Sequence, residues 1–96
     1  MYTEDLQKVA NCIRQNPIEN AEILLNDIVG GNRWRIIAKP EEIVKAVQVF
    51  TQTERTFISD VRADVSKRMY IMNVPMTLGV IRSGVYTYNA AKNTLE

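Results

Sequence analysis

The sequence predicts an α+β domain, predominantly helical, with four to five helices and a small β element around residues 33–38. Three patterns predict it. Leu6, Val9, Ala10 and Ile13 recur at helical spacing, and Phe57, Val61, Val65 and Met69 stack at four-residue intervals. Trp34, Ile36 and Ala38 alternate as they would on one side of a strand.

The chain has 96 residues, 46% of them hydrophobic and 24% charged. That is enough for one globular domain, placed at residues 1–94, with a core that needs no disulfide. Leu95-Glu96 matches the pair a restriction site leaves ahead of a purification tag, and is read as a possible expression scar. No apolar run approaches the length of a membrane span, and the N-terminal segment is acidic, so the sequence predicts a cytoplasmic chain with no membrane contact.

Cys12 is the only cysteine and there is no histidine. Triads, imidazole bases and the usual zinc sites draw on those two residues. The expectation is therefore a chain that is not an enzyme and takes no metal or cofactor, with Cys12 a small apolar filler on the flank of the first helix. Glycine-rich phosphate loops and calcium-loop patterns are also missing.

Net charge is +1, but its distribution is uneven. Met1–Gly31 carries two basic and five acidic residues; Asn32–Pro75 carries eight basic and five acidic.

In chain order, the first helix carries Tyr2, Leu6, Val9, Ala10 and Ile13 inward. Thr3 serves as cap, Glu4 and Asp5 lie against the positive dipole end, and Asn16-Pro17 terminates it. A second helix is expected over Pro17–Val29, with Ile18, Ala21, Leu25, Ile28 and Val29 as its stripe and Gly30-Gly31 as its stop. Together they would form a hairpin with Glu4, Asp5, Glu19 and Glu22 facing water. The strand at Asn32–Ala38 follows, and it needs a partner for its backbone groups. Pro40 opens a third helix with Ile43, Val44, Val47 and Phe50 inward, breaking at Thr51–Thr53. Thr53 then caps a fourth, with Ile58 and Met72 beside the Phe57–Met69 stack and Arg55, Arg62, Asp64 and Lys67 opposite.

The C-terminal third admits two readings. Leu78-Gly79-Val80, followed by Arg82-Ser83 and Val85-Tyr86-x-Tyr88, resembles the turn and recognition helix of bacterial and phage helix-turn-helix regulators over residues 71–90. The resemblance implies a left-handed Gly79 in the turn, Arg82, Ser83, Tyr86 and Thr87 facing DNA bases, and Arg62, Lys67 and Arg68 on phosphates. In the second reading, Tyr70, Met72, Val74, Met76, Leu78 and Val80 alternate along a strand. Ser83-Gly84 then turns the chain into Val85–Tyr88, and the hairpin supplies the Trp34 strand with its partner.

Two functional expectations follow. One is a small DNA-binding transcriptional regulator, phage or mobile-element derived and acting as a homodimer, since a half-symmetric DNA site and an unpaired strand both invite a second copy. The alternative is a non-enzymatic protein–protein interaction module, an adaptor, inhibitor or assembly factor, using the acidic helical hairpin or the Trp34 strand edge.

Overall fold

The computed structural model describes residues 3–96. Among them, two α-helices cover one face of a six-stranded mixed sheet. In chain order these are α1 (Thr3–Gln15), β1 (Glu22–Asp27), β2 (Arg33–Ile37), a 3-10 turn (Pro40–Glu42) leading into α2 (Ile43–Thr53), β3 (Asp60–Asp64), β4 (Met69–Val74), β5 (Gly84–Asn89) and β6 (Thr94–Leu95). The strand order is β3-β4-β1-β2-β5-β6. The central β1–β2 pair is antiparallel and flanked by a parallel partner on each side. The Tyr2 packing and Thr3 side-chain cap expected from sequence lie outside the described side chains.

A predominantly helical fold with four to five helices is therefore incorrect. The first and third expected helices are present as α1 and α2, and the strand near residue 34 is β2; the other helical segments are strands. Glu22–Asp27 buries Ile23, Leu25 and Asp27 and half-exposes the residues between them. This alternation places β1 between β2 and β4, and pairing on both edges overrides a segment whose apolar spacing also suited a helix. Gly30-Gly31 does not end a helix; it closes the β1–β2 hairpin, with Gly31 at φ 75°.

The four-residue stack from Phe57 to Met69 failed for a related reason. Four is an even number, so the same residues also satisfy the period of a strand. The decisive feature was the turn within the stack. Asp64 accepts hydrogen bonds from the Ser66 hydroxyl at 2.8 Å and the Lys67 N–H at 3.1 Å, and Arg68 adopts φ 54°. An aspartate that bonds its own following backbone competes with helix and reverses the chain into the β3–β4 hairpin.

The core lies between the helices and the sheet. Val9 of α1 and Ile43, Ala46, Val47 and Phe50 of α2 meet Ile23, Leu25, Trp34, Ile36, Tyr70 and Met72 from the strands. Trp34 and Phe50 pack edge to face with centroids 5.1 Å apart. Tyr70 ties the α1–β1 connection to the sheet: its hydroxyl accepts from the Ile18 N–H at 2.9 Å and donates to the Asn16 carbonyl at 2.7 Å. Asp5 is buried in the first turn of α1 and accepts the Ile58 N–H at 3.0 Å, which fixes the entry to β3.

The C-terminal third follows neither reading in full. Val85–Tyr88 lies in β5, which pairs in parallel with the Trp34 strand, so that strand has its partner. β4 ends at Val74, however, and does not pair with β5. Residues 75–83 instead form a strap from β4 to β5 across the end of the β1–β2 hairpin. Residues 71–90 form no helix-turn-helix. Leu95, given no structural weight from sequence, pairs with Tyr88 and packs against the core, while Thr87 and Glu96 exchange backbone hydrogen bonds at 2.8 and 2.9 Å.

Candidate interaction surface

The strap is held by the C-terminus of α2. Leu78 N–H donates to the Glu54 carbonyl at 2.9 Å, and the Thr56 hydroxyl donates to the Met76 carbonyl at 2.7 Å. The Arg55 guanidinium donates to the Leu78 carbonyl, and the Trp34 indole N–H donates to the Ile81 carbonyl at 3.0 Å. Gly79 allows this approach, because a Cβ there would lie 2.5 Å from both Glu54 Cα and the Thr53 carbonyl oxygen. It is not left-handed, as a helix-turn-helix would require; it is a point of close backbone contact.

Ile81 of the strap packs on the core, whereas the alternate apolar side chains before it point outward. Met76, Leu78 and Val80 are exposed by 50%, 56% and 87%. The β1–β2 hairpin tip sits at the same end of the sheet, where Ile28 N–H bonds the Val74 carbonyl at 3.0 Å, and it presents Ile28 and Val29. Phe57 joins them from the loop before β3. Six large apolar side chains thus emerge at one end of the molecule, although sequence reasoning had placed all six in helical or strand stripes. The signal for Ile28 and Val29 was the Asp27-x-x-Gly30-Gly31 turn around them.

Asp27 and Glu54 are buried: Asp27 accepts from the Gly30 N–H at 2.8 Å and the Asn32 amide at 3.3 Å, and Glu54 accepts the Ile81 N–H at 2.7 Å. Arg33, Arg55 and Arg82 are exposed. The strap and hairpin side of this end therefore exposes apolar side chains and arginines, while Glu4 and Asp60 are exposed on the Phe57 side.

The predicted nucleic-acid residues fall into two groups at different parts of the sheet, Arg62, Lys67 and Arg68 on the β3–β4 hairpin and Arg82, Ser83, Tyr86 and Thr87 at the strap and β5. Arg62 lies on β3, at one edge of the sheet, while Tyr86 and Thr87 lie on β5, four strand spacings or about 19 Å away. Tyr86 and Thr87 point to opposite faces: Tyr86 packs on the core and its hydroxyl donates to the Arg82 carbonyl at 2.5 Å, whereas Thr87 is exposed. Lys67 and Arg68 belong to the β3–β4 turn, at the opposite end of the sheet from Arg82 and Ser83. Ser83 has a structural part, since its hydroxyl accepts the Arg33 N–H at 3.0 Å and donates to Asn32 at 3.2 Å, holding β5 beside β2.

Comparison with family models, curated proteins and solved structures finds no match.

Both surfaces first considered for a protein partner are altered. The acidic hairpin does not exist, because its second arm is β1. The Trp34 strand is not an edge, because β1 and β5 flank it. Cys12 is partly buried, and burial raises its thiol pKa above the ordinary value while a hydrogen bond with Asn16 opposes the shift. Among the described residues no three His, Cys, Asp or Glu side chains gather where they could hold a metal, and no helix is long and apolar enough to cross a membrane.

Proposed function

We propose that the chain is a non-enzymatic protein-interaction module that binds through the strap end of the sheet. The observation that carries this reading is the outward cluster of Ile28, Val29, Phe57, Met76, Leu78 and Val80. Scattered exposed hydrophobics need no explanation, but six gathered at one end on a strap whose backbone is tied inward form the kind of surface that partners cover. Exposed Arg33, Arg55 and Arg82 favour a partner that sets acidic groups opposite the strap and hairpin side of this surface.

The DNA-regulator reading rested on a recognition helix, and β5 occupies that stretch. The interaction reading needs no such element.

The test compares capture of partners by the intact chain with capture by Val29→Asp, Val80→Asp and Val65→Asp. Val65 is 65% exposed in the β3–β4 turn, at the far end of the sheet, so it controls for exposed apolar surface in general. A protein partner retained by Val65→Asp and lost with the other two supports the proposal. A partner indifferent to both Val29→Asp and Val80→Asp excludes this surface. Binding of duplex DNA with a steep salt dependence would restore the regulator reading.

A further inference from the structure

The sheet has an edge that is neither covered nor short. β6, at one side, has only two residues, whereas β3, at the other, has five and pairs only with β4. The outer row of β3 backbone groups is therefore available to another strand. Beside it lies a groove of about 610 Å³ between α1, which contributes Lys8, Cys12 and Gln15, and the whole run of residues 59–63, so that Asp60 and Arg62 border it along with Val61 and Ala63.

The two faces of this edge differ in chemistry. Toward the groove, Val61 and Ala63 are half-buried and apolar. On the open face stand Asp60, Arg62 and Asp64, an acid–base–acid row. Arg62 makes no salt bridge among the described residues, although both its same-face neighbours on the strand are carboxylates. Residues directly opposite across a ladder share a face, and opposite charges there attract while like charges repel. A strand added to β3 must therefore answer the row in alternation.

We infer that the β3 edge captures an extended segment of a partner protein by strand addition, and that this segment reads basic–apolar–acidic–apolar–basic. Its charged residues face Asp60, Arg62 and Asp64, and its two apolar residues enter the groove beside Val61 and Ala63. The pattern is a palindrome, so parallel and antiparallel entry both match it. A second copy of β3 matches less well: full overlap sets Asp60 against Asp64 and Arg62 against itself, and only a slipped, three-residue overlap pairs unlike charges. The mixed-sign row thus disfavours full-length pairing of the edge with itself while accepting its complement. The inference belongs to the interaction-module class but uses a different surface from the strap end.

The experiment titrates the full chain with the peptide Thr-Lys-Val-Glu-Val-Lys-Thr and follows backbone amide shifts. The expected result is saturable shifts in residues 59–64 and α1, with the charge-reversed peptide Thr-Glu-Val-Lys-Val-Glu-Thr weaker by about 10-fold, the size of a few cross-strand pairs changing sign. Arg62→Glu, at an exposed site, is expected to weaken the first peptide similarly, and Val80→Asp to leave it unchanged. Equal binding of both peptides, or no shift at about 1 mM, a concentration ample for even a weak contact, overturns the inference. So do shifts confined to the strap end, or concentration-dependent shifts in residues 59–64 without peptide, which would give the edge to a second copy. Because Val80→Asp disables only the strap surface, failure of one proposal is read separately from failure of the other.

Discussion

The Glu54 carboxylate accepts the Ile81 N–H at 2.7 Å while itself only 1% exposed, and this contact joins the end of α2 to the strap. A buried carboxylate is tolerated only where hydrogen bonds replace its water. Removing it orphans a part-buried N–H and empties the space beneath the strap. Glu54→Ala is expected to cost about 2–3 kcal/mol, and Glu54→Gln, which keeps an acceptor, about 1 kcal/mol. Urea melts of the three proteins check the order.

Gly79 and Gly31 make a paired prediction, because they are glycine for different reasons. A Cβ at Gly79 meets the backbone of Thr53 and Glu54 at 2.5 Å, whereas one at Gly31 meets nothing within 4 Å but must adopt φ 75°. Gly31→Ala is expected to cost about 1 kcal/mol from backbone conformation alone. Gly79→Ala is expected to cost more, about 2–3 kcal/mol, since backbone cannot step aside as a side-chain tip can. It should also lift the strap, seen as faster hydrogen exchange at the Leu78 and Ile81 amides while those of β1 and β2 stay protected.

These two sites also show what the sequence carried. α1 and α2 were legible because their stripes fall at three- and four-residue spacing next to prolines that mark a boundary, Asn16-Pro17 and Pro40. β2 was legible from its strict alternation. Residues 22–27 and 60–74 were not, because their apolar residues satisfy both periods; the first is decided by pairing with β4, remote in sequence, and the second by the Asp64 turn that folds β3 onto β4. Gly79 was expected to make a left-handed turn and does not; its approach to residues 53 and 54 depends on contacts that no local pattern encodes. The strap-end surface was hidden for the same cause, since its six side chains come from three separate loops.

Tyr70→Phe tests the tie between α1 and the sheet. The hydroxyl serves both the Ile18 N–H and the Asn16 carbonyl, and Tyr70 is 1% exposed. Loss of one oxygen leaves a buried donor and an acceptor unpaired while the ring packing survives. The expected cost is about 2 kcal/mol, with the largest amide shift changes at Asn16 and Ile18.

Asp64 links the β3–β4 turn to pH. The Ser66 hydroxyl, the Lys67 N–H and, more weakly, the charges of Lys67 and Arg62 hold its carboxyl below the ordinary value of 3.8. A carboxyl whose folded pKa is lowered binds protons less readily folded than unfolded. Its stabilising effect is therefore complete above its unfolded value and fades as pH falls toward and through the lower folded value. On acidification the turn amides of Ser66 and Lys67 should shift with a midpoint below 3.8, at a pH where an unperturbed aspartate is already more than half protonated. Asp64→Asn is expected to abolish that midpoint and flatten this part of the acid stability profile. A carboxyl carbon titration that places Asp64 at or above 3.8 would mean that the turn does not hold the charged form.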